Sequence, residues 1–267
     1  MKYFIDFEFL EGDVPVTLCG VNIPKWLIKP NNTIQPISVG IASSDGREYY
    51  AVSKDFNLYE AWNRSDSVKA VGFRDTGMTK VYEPVYWIRD NVLKVIFNDM
   101  ESLEFDKTGI AHHEFTYSDF KELLNTHGKS NEQIKEEILE FVKGNQNPLA
   151  TDNNGKLIGI DNTPIEFYGY YSDYDWVCFC WLFGRMIKLP TGFPMYCNDL
   201  KQELDYIVQY NDYGYTAKIR DKWISSNKEE RLNLIKSNSK YPKQTVAHSS
   251  LHDARFNRDL YNFLKTL

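Results

Sequence analysis

The sequence has no excess of positive charge: 31 Lys and Arg residues against 37 Asp and Glu residues give a formal net charge of −6. This balance disfavours a passive nucleic-acid binder of the histone or repressor type. It does not disfavour a metal-dependent enzyme, because clustered acidic ligands count as negative until divalent cations bind to them.

The sequence is also poor in cysteine and in long apolar runs. Its four cysteines include no CxxC pair, so we expect buried free thiols rather than a zinc site.

No run of about 18 apolar residues exists for a membrane span. The apolar stretch at residues 1–10 holds two acidic residues, which argues against a signal peptide. We expect a soluble, cytoplasmic protein that does not bind membranes.

Periodicity predicts an α/β domain with a mixed sheet flanked by helices. Strands are expected at 2–9, 34–42 and 164–171, with a hairpin of 37–42 against 48–52 that turns at Asp45-Gly46. Helices are expected within 58–99 and at 131–143, 174–186, 198–208 and 249–267, with Ser130 or Asn131 capping the second and a surface loop at 144–162. Residues 11–34 are too long for an ordinary connection and suggest an insertion.

Asp6 and Glu8 lie two residues apart in the first predicted strand, so both side chains point to one face, with Cα atoms roughly 7 Å apart. Two such carboxylates can bind one divalent ion. A D-x-E pair also arises by chance at a strand end. Here the flanking residues Phe4, Ile5 and Phe7 indicate a buried strand, where carboxylates are costly without a metal or a partner.

Two further acidic positions lie at the starts of predicted helices. Asp175 follows a strand and opens an apolar helix, which suits a metal ligand or, equally, a helix N-cap; Asp173 is less favoured for the metal role. Asp253 lies one turn inside the last helix and His248 precedes that helix, which suits a carboxylate ligand and a general base. Alternatively, Ser249 caps the helix and Asp253 pairs with Arg255 or Arg258.

Together these positions follow the order D-x-E, D, H-x4-D, and the chain resembles the DEDDh (DnaQ-like) 3′-5′ exonuclease superfamily, which has a ribonuclease H-like fold. It most resembles the bacterial 3′-exoribonuclease AS family. The similarity lies in YFIDFEF (3–9), DGREYYAVS (45–53), YDWVCFCWLFGRM (174–186) and HSSLHDAR (248–255), about half of the chain. Relative to smaller members, 11–34 and 211–243 look like insertions into one domain spanning 1–267.

The resemblance implies site residues, cofactors and a substrate. Asp6, Glu8, Asp175 and Asp253 would bind two Mg²⁺ or Mn²⁺ ions, His248 would be the general base, and Phe9 would contact the terminal nucleotide. The reaction would release nucleoside monophosphates from RNA with a single-stranded 3′ end. A homodimer is compatible with the resemblance.

Two other functions stay open at this point. The segment HSSLHDAR is also similar to that of phage-type exodeoxyribonuclease A, so single-stranded DNA is an alternative substrate. A non-enzymatic nucleic-acid-binding module on the same fold is a second alternative. It would not require all five acidic and histidine positions, which favours an enzyme. His112, His113 and His252 lack such a motif and are not expected to be catalytic.

Overall fold

The largest sheet among the described residues has five strands, in the order β5 (Glu48–Val52), β4 (Asn31–Ser43), β1 (Lys2–Val14), β8 (Glu166–Gly169) and β9 (Asn198–Asp199). In this computed structural model, β1 pairs in parallel with β8, and β8 with the short β9. Strands β4 and β5 form the predicted hairpin, whose turn closes with a hydrogen bond from the Gly46 N–H to the Ser43 carbonyl at 3.2 Å. The strands are β1 (Lys2–Val14), β2 (Thr17–Leu18), β3 (Val21–Asn22), β4 (Asn31–Ser43), β5 (Glu48–Val52), β6 (Ser67–Phe73), β7 (Lys80–Val85), β8 (Glu166–Gly169) and β9 (Asn198–Asp199).

Among the described residues, eight α-helices and a short 3-10 helix at Met186–Lys188 can be delimited, and several of them match the predicted segments. The predicted helix at 131–143 is confirmed, and the Ser130 hydroxyl accepts the Gln133 N–H at 3.2 Å as its cap. The helices are α1 (Leu58–Asn63), α2 (Lys94–Thr108, entered through a π-helical turn at Arg89–Leu93), α3 (Tyr117–His127), α4 (Asn131–Lys143), α5 (Asp173–Leu182), α6 (Leu200–Tyr210), α7 (Lys228–Lys236) and α8 (Ser250–Leu264).

The alternation of side chains along β1 gives the sheet two apolar faces. Phe4 stacks on Tyr168 of β8 and contacts Tyr261 of α8. On the opposite face, Tyr3 lies against Phe167, which contacts Phe179 of α5. Because neighbouring residues of one strand meet helices on both sides, β1 is a central, buried strand. The α/β prediction with a mixed sheet flanked by helices is confirmed.

Three predicted boundaries are wrong for local reasons. The segment 58–99 is not continuously helical: after α1 it forms the β6–β7 hairpin, which Gly72 and Pro84 favour over a helix. Helix α5 ends at Leu182, because Gly184 adopts a left-handed backbone with φ of 85°. Residue 198 belongs to β9 and not to a helix, because α6 begins only after Asp199, whose carboxylate accepts the N–H groups of the first helical turn.

The segment 211–243, predicted as a polar insertion, contributes to the core. Its helix α7 buries Ile235, and Trp223 is 1% exposed. Both belong to one apolar cluster with Leu204 of α6 and Leu260 of α8. These apolar positions are too few to stand out in a segment rich in charge.

The chain divides into two compact units. The first comprises Met1–Phe7, Val39–Tyr50 and Lys135–Leu267, and the second Glu8–Ser38 and Ala51–Ile134. Within the second, Trp62 of α1 packs against Phe115 and Phe120. No helix among the described residues is long and apolar enough to cross a membrane.

The structure describes residues 1–14, 17–18, 21–22, 27, 31–65, 67–73, 80–108, 113–144, 164–210, 223 and 226–267. Several predictions therefore lie outside the described residues. They are most of the 144–162 loop, much of the 11–34 stretch, residues 211–222 and 224–225 of the second insertion, Cys19 and His112.

Candidate active site

Helix α8 is fixed against the sheet by two close contacts. Gly40 of β4 lies so close to this helix that an added Cβ would meet the Ser250 carbonyl oxygen at 2.1 Å. One helical turn after Asp253, the Asn257 side-chain amide donates to the Ile5 carbonyl oxygen at 3.1 Å. Since positions i and i+4 share a helix face, this bond directs Asp253 towards the strand position next to Ile5.

Three carboxylates meet where α8 faces β1. Asp6 and Glu8, two residues apart on that continuous strand, and Asp253 each offer one oxygen, and these oxygens lie within 4.8 Å of one another. All three side chains are half-buried. Three carboxylates at this separation repel one another, so the cluster favours divalent cations or protons between its oxygens.

Asp175 lies beside this cluster and is not one of its three members. It belongs to the first turn of α5, is 6% exposed, and accepts the Phe7 N–H at 2.7 Å. Phe7 stands between Asp6 and Glu8 in the strand. Burial, followed by repulsion from Asp199 and Asp253, raises the pKa of Asp175 to about 7, although the Phe7 N–H opposes the rise. Asp173, in contrast, is exposed.

Two residues of the loop before α8 hydrogen-bond to Asp253. The Gln244 side-chain amide donates to Asp253 Oδ1 at 2.5 Å, and the backbone of His248 also hydrogen-bonds to this carboxylate. Burial raises the pKa of Asp253, and Gln244 and His248 counteract the rise. Sequence reasoning missed Gln244, because an isolated glutamine in a polar loop gives no motif.

His248 is half-buried and holds a left-handed backbone with φ of 61°. This conformation is costly for a residue with a side chain and persists only where surrounding structure enforces it, often at functional sites. His252, by comparison, lies one turn into α8, where its Nδ1 is 3.0 Å from the Ser249 hydroxyl oxygen. The two histidines therefore have different environments despite their proximity in sequence.

The alternative ion pairs predicted for Asp253 do not form. Arg255 instead binds Glu48 of β5 in a bidentate pair, at 3.0 and 2.7 Å, and Arg258 reaches the same carboxylate at 3.3 Å. His113 pairs with Glu101 at 2.9 Å, and Phe9 is half-buried on β1, on the strand face opposite to Glu8.

The chain is similar to 3′-5′ exoribonucleases. Proteins of that name from two strains of Mycobacterium tuberculosis, CDC 1551 and H37Rv, are each 25% identical to it over 202 residues. The aligned region covers 76% of this chain and 73% of theirs. No family model matches the sequence. This similarity, although the identity is only 25%, supports an exonuclease.

Proposed function

We propose that this chain is a metal-dependent 3′-5′ exoribonuclease with a ribonuclease H-like fold of the DEDDh type. The observation that carries the proposal is the cluster of Asp6 and Glu8 of β1 with Asp253 of α8, with Asp175 buried beside it and the backbone of His248 hydrogen-bonded to Asp253. The distant relatives named 3′-5′ exoribonuclease support the same reaction.

The donor set fits Mg²⁺ or Mn²⁺. All four proposed ligands are carboxylates, and oxygen-only ligands favour these hard cations over zinc. Asp6, Glu8, Asp175 and Asp253 would hold two ions. When bound, such ions neutralise charge on the phosphate and on the oxygens of an in-line phosphodiester displacement.

The residues around the cluster have different roles in the proposed hydrolysis. His248 takes the proton of the attacking water, because an imidazole can accept a proton as a general base and the backbone of His248 hydrogen-bonds to the Asp253 carboxylate. Gln244 and the Phe7 N–H hold the carboxylates of Asp253 and Asp175 in place. The reaction releases one nucleoside monophosphate at a time from the 3′ end.

RNA is proposed as the preferred substrate. The relatives named for this activity act, by their names, on RNA. A site that contacts the terminal ribose can also sense the 2′-hydroxyl, the group that locally separates RNA from DNA.

The test compares matched single strands of RNA and DNA, labelled at the 5′ end, in Mn²⁺ at one fixed salt concentration, since affinity for phosphates changes with ionic strength. We expect products that shorten one nucleotide at a time, faster for RNA. Asp6→Asn should abolish them. Faster shortening of DNA would overturn the RNA preference, whereas internal cleavage fragments, or resistance of both strands, would overturn the exonuclease itself.

A further inference from the structure

A tight turn after β8 leads the chain into α5 and determines where Asp175 lies. It begins at Gly169, where an added Cβ would meet the Ser172 Cβ at 2.6 Å and the Ile5 carbonyl oxygen at 3.3 Å. Ser172 is the N-cap residue of α5, and Asp175 follows within the first helical turn. Because three residues of a helix span only about 4.5 Å along its axis, a shift of Ser172 displaces Asp175 with it.

The backbone of this turn is strained, and α5 lacks a side-chain cap. Tyr171 has a left-handed backbone with φ of 56°. A residue with a side chain keeps this conformation only where the surrounding structure enforces it. The Ser172 side chain forms no capping hydrogen bond to the helix. The start of α5 therefore depends on contacts from other elements.

Asp199, at the end of β9, provides such a contact with both of its carboxylate oxygens. Oδ2 accepts the Ser172 N–H at 3.2 Å. Oδ1 accepts the N–H groups of Lys201 and Gln202, in the first turn of α6, at 2.6 and 3.1 Å. One carboxylate thus joins the N-terminal ends of α5 and α6, where the helix dipoles favour a negative charge.

Two contacts between neutral groups also connect α5 with the segment before β9. The Ser172 side chain hydrogen-bonds to the Cys197 side chain, and the Trp176 indole N–H donates to the Met195 carbonyl oxygen at 3.4 Å. A hydrogen bond to a charged acceptor is roughly twice as strong as one between neutral groups. The bond to Asp199 should therefore contribute most to the placement of Ser172.

We propose that Asp199 is a positioning residue of the active site, which holds Asp175 in place through the N–H of Ser172. The inference rests on the proposed metal-dependent function and deepens it, since it adds an acidic residue that acts through the backbone rather than as a ligand. Asp199 lies outside the D-x-E, D, H-x4-D motif.

Asp199→Asn isolates the bond between Asp199 and Ser172. Asparagine has one acceptor oxygen and is among the best N-cap residues, so this oxygen can still accept the two N–H groups of α6. The amide nitrogen that replaces Oδ2 is a donor and cannot accept the Ser172 N–H. Asp55→Asn is the matched control, because the exposed Asp55 carboxylate accepts the Asn131 N–H at the start of α4, at 2.6 Å.

Amide hydrogen exchange in EDTA measures the positioning without metal or activity. In Asp199→Asn, the Ser172 amide should exchange at least about tenfold faster than in the wild type, as expected when a hydrogen bond to a charged group is lost. The Trp176 amide, which donates to the Ser172 carbonyl oxygen at 2.9 Å, should also exchange faster. Asp55→Asn should leave both rates unchanged. Thermal melting checks that the variants fold, and Asp199→Ser, which also caps α6 with a single oxygen, repeats the test independently.

Titration calorimetry with Mn²⁺ measures the consequence for the metal site. Asp199→Asn should raise the Kd of Mn²⁺ about 10–100-fold, as is typical when a group that orients a metal ligand is lost. Asp55→Asn should leave this Kd unchanged. A raised Kd with unchanged exchange at Ser172 would mean that only the charge of Asp199 matters, and it would overturn the positioning role. Faster exchange with an unchanged Kd would overturn it as well.

The outcomes separate this inference from the proposed function. If the wild type shortens RNA while Asp199→Asn matches it in amide exchange and in Mn²⁺ affinity, the positioning role is wrong and the exonuclease stands. If the wild type fails to shorten RNA while both quantities still depend on Asp199, the exonuclease is wrong and the positioning role is supported.

Discussion

Replacing Asp175 by Asn should stabilise the metal-free protein while abolishing its activity. Asparagine keeps the size of the side chain and an oxygen that accepts the Phe7 N–H, so the hydrogen bond at 2.7 Å can persist. What the change removes is a buried negative charge. Because burial is the main cause of the raised pKa of Asp175, that charge is a cost to the folded state whenever no cation offsets it.

The size of the effect follows from linkage between protonation and folding. Raising the pKa from 3.8 to about 7 means that ionising Asp175 costs the folded chain roughly 4 kcal/mol at pH 8, at about 1.36 kcal/mol per pKa unit. This is an upper limit, because relaxation around a buried charge lowers its cost. Between about pH 4 and about pH 7, the folded state keeps a proton on Asp175 that the unfolded state has lost, so the cost grows with pH in this range. Above about pH 7 both states are ionised and the cost stays constant.

Thermal melting in EDTA at pH 8 and pH 5 measures the effect. For chains of roughly this size, 1 kcal/mol corresponds to about 2–4 °C, so Asp175→Asn should raise the midpoint by several degrees at pH 8. The gain should fall by more than half at pH 5, where linkage leaves a cost of under about 2 kcal/mol. Adding Mn²⁺ should stabilise the wild type more than the variant.

Asp173→Asn is the matched control, because Asp173 is exposed in the same helical turn. It should change stability by no more than about 0.5 kcal/mol at either pH. The reasoning would be refuted if Asp175→Asn destabilised the metal-free protein at pH 8, or if its effect did not depend on pH.

Three further predictions concern the residues around the cluster. His248→Ala should lower kcat by about 10²–10⁴ while keeping the thermal shift given by Mn²⁺, and His252→Ala should change neither quantity. Gln244→Leu should weaken Mn²⁺ binding about 10–100-fold in calorimetry, because Asp253 loses the donor that orients it. Stabilisation of the wild type by Mn²⁺ should be larger at pH 8 than at pH 5.5, since protons compete for Asp175 and Asp253, whose pKa values are raised in the metal-free protein.

Each of these predictions has a contradicting result. A wild-type kcat in His248→Ala would place the general base elsewhere, and unchanged Mn²⁺ affinity in Gln244→Leu would make its hydrogen bond irrelevant to the metal. Stabilisation by Mn²⁺ that did not depend on pH would mean that the ion binds away from the carboxylates with raised pKa values.

Local patterns predicted the elements that surround the cluster. The apolar residues around Asp6 predicted β1, and the turn residues Asp45-Gly46 predicted the β4–β5 hairpin. Both signals depend only on residues that are adjacent in sequence. The structure also brings Asp6, Glu8 and Asp253 together, while their roles as ligands stay a prediction.

Features that depend on contacts distant in sequence could not be predicted. The burial of Trp223 follows from its packing with α6 and α8, and nothing in its charged neighbourhood indicates it. The bond of Gln244 to Asp253 and the pairing of Arg255 with Glu48, 207 residues away, likewise depend on how separate elements pack. From the sequence alone, Asp253 could have paired with Arg255 or Arg258. The structure shows that both arginines bind Glu48 instead.

The central claim is that the carboxylates form a divalent-metal site, and anomalous diffraction from crystals grown in Mn²⁺ tests it most directly. The account predicts two manganese peaks bounded by Asp6, Glu8, Asp175 and Asp253, both lost or weakened in Asp6→Asn crystals. Absence of manganese from these carboxylates at millimolar Mn²⁺, in crystals of protein that still shortens RNA, would contradict it.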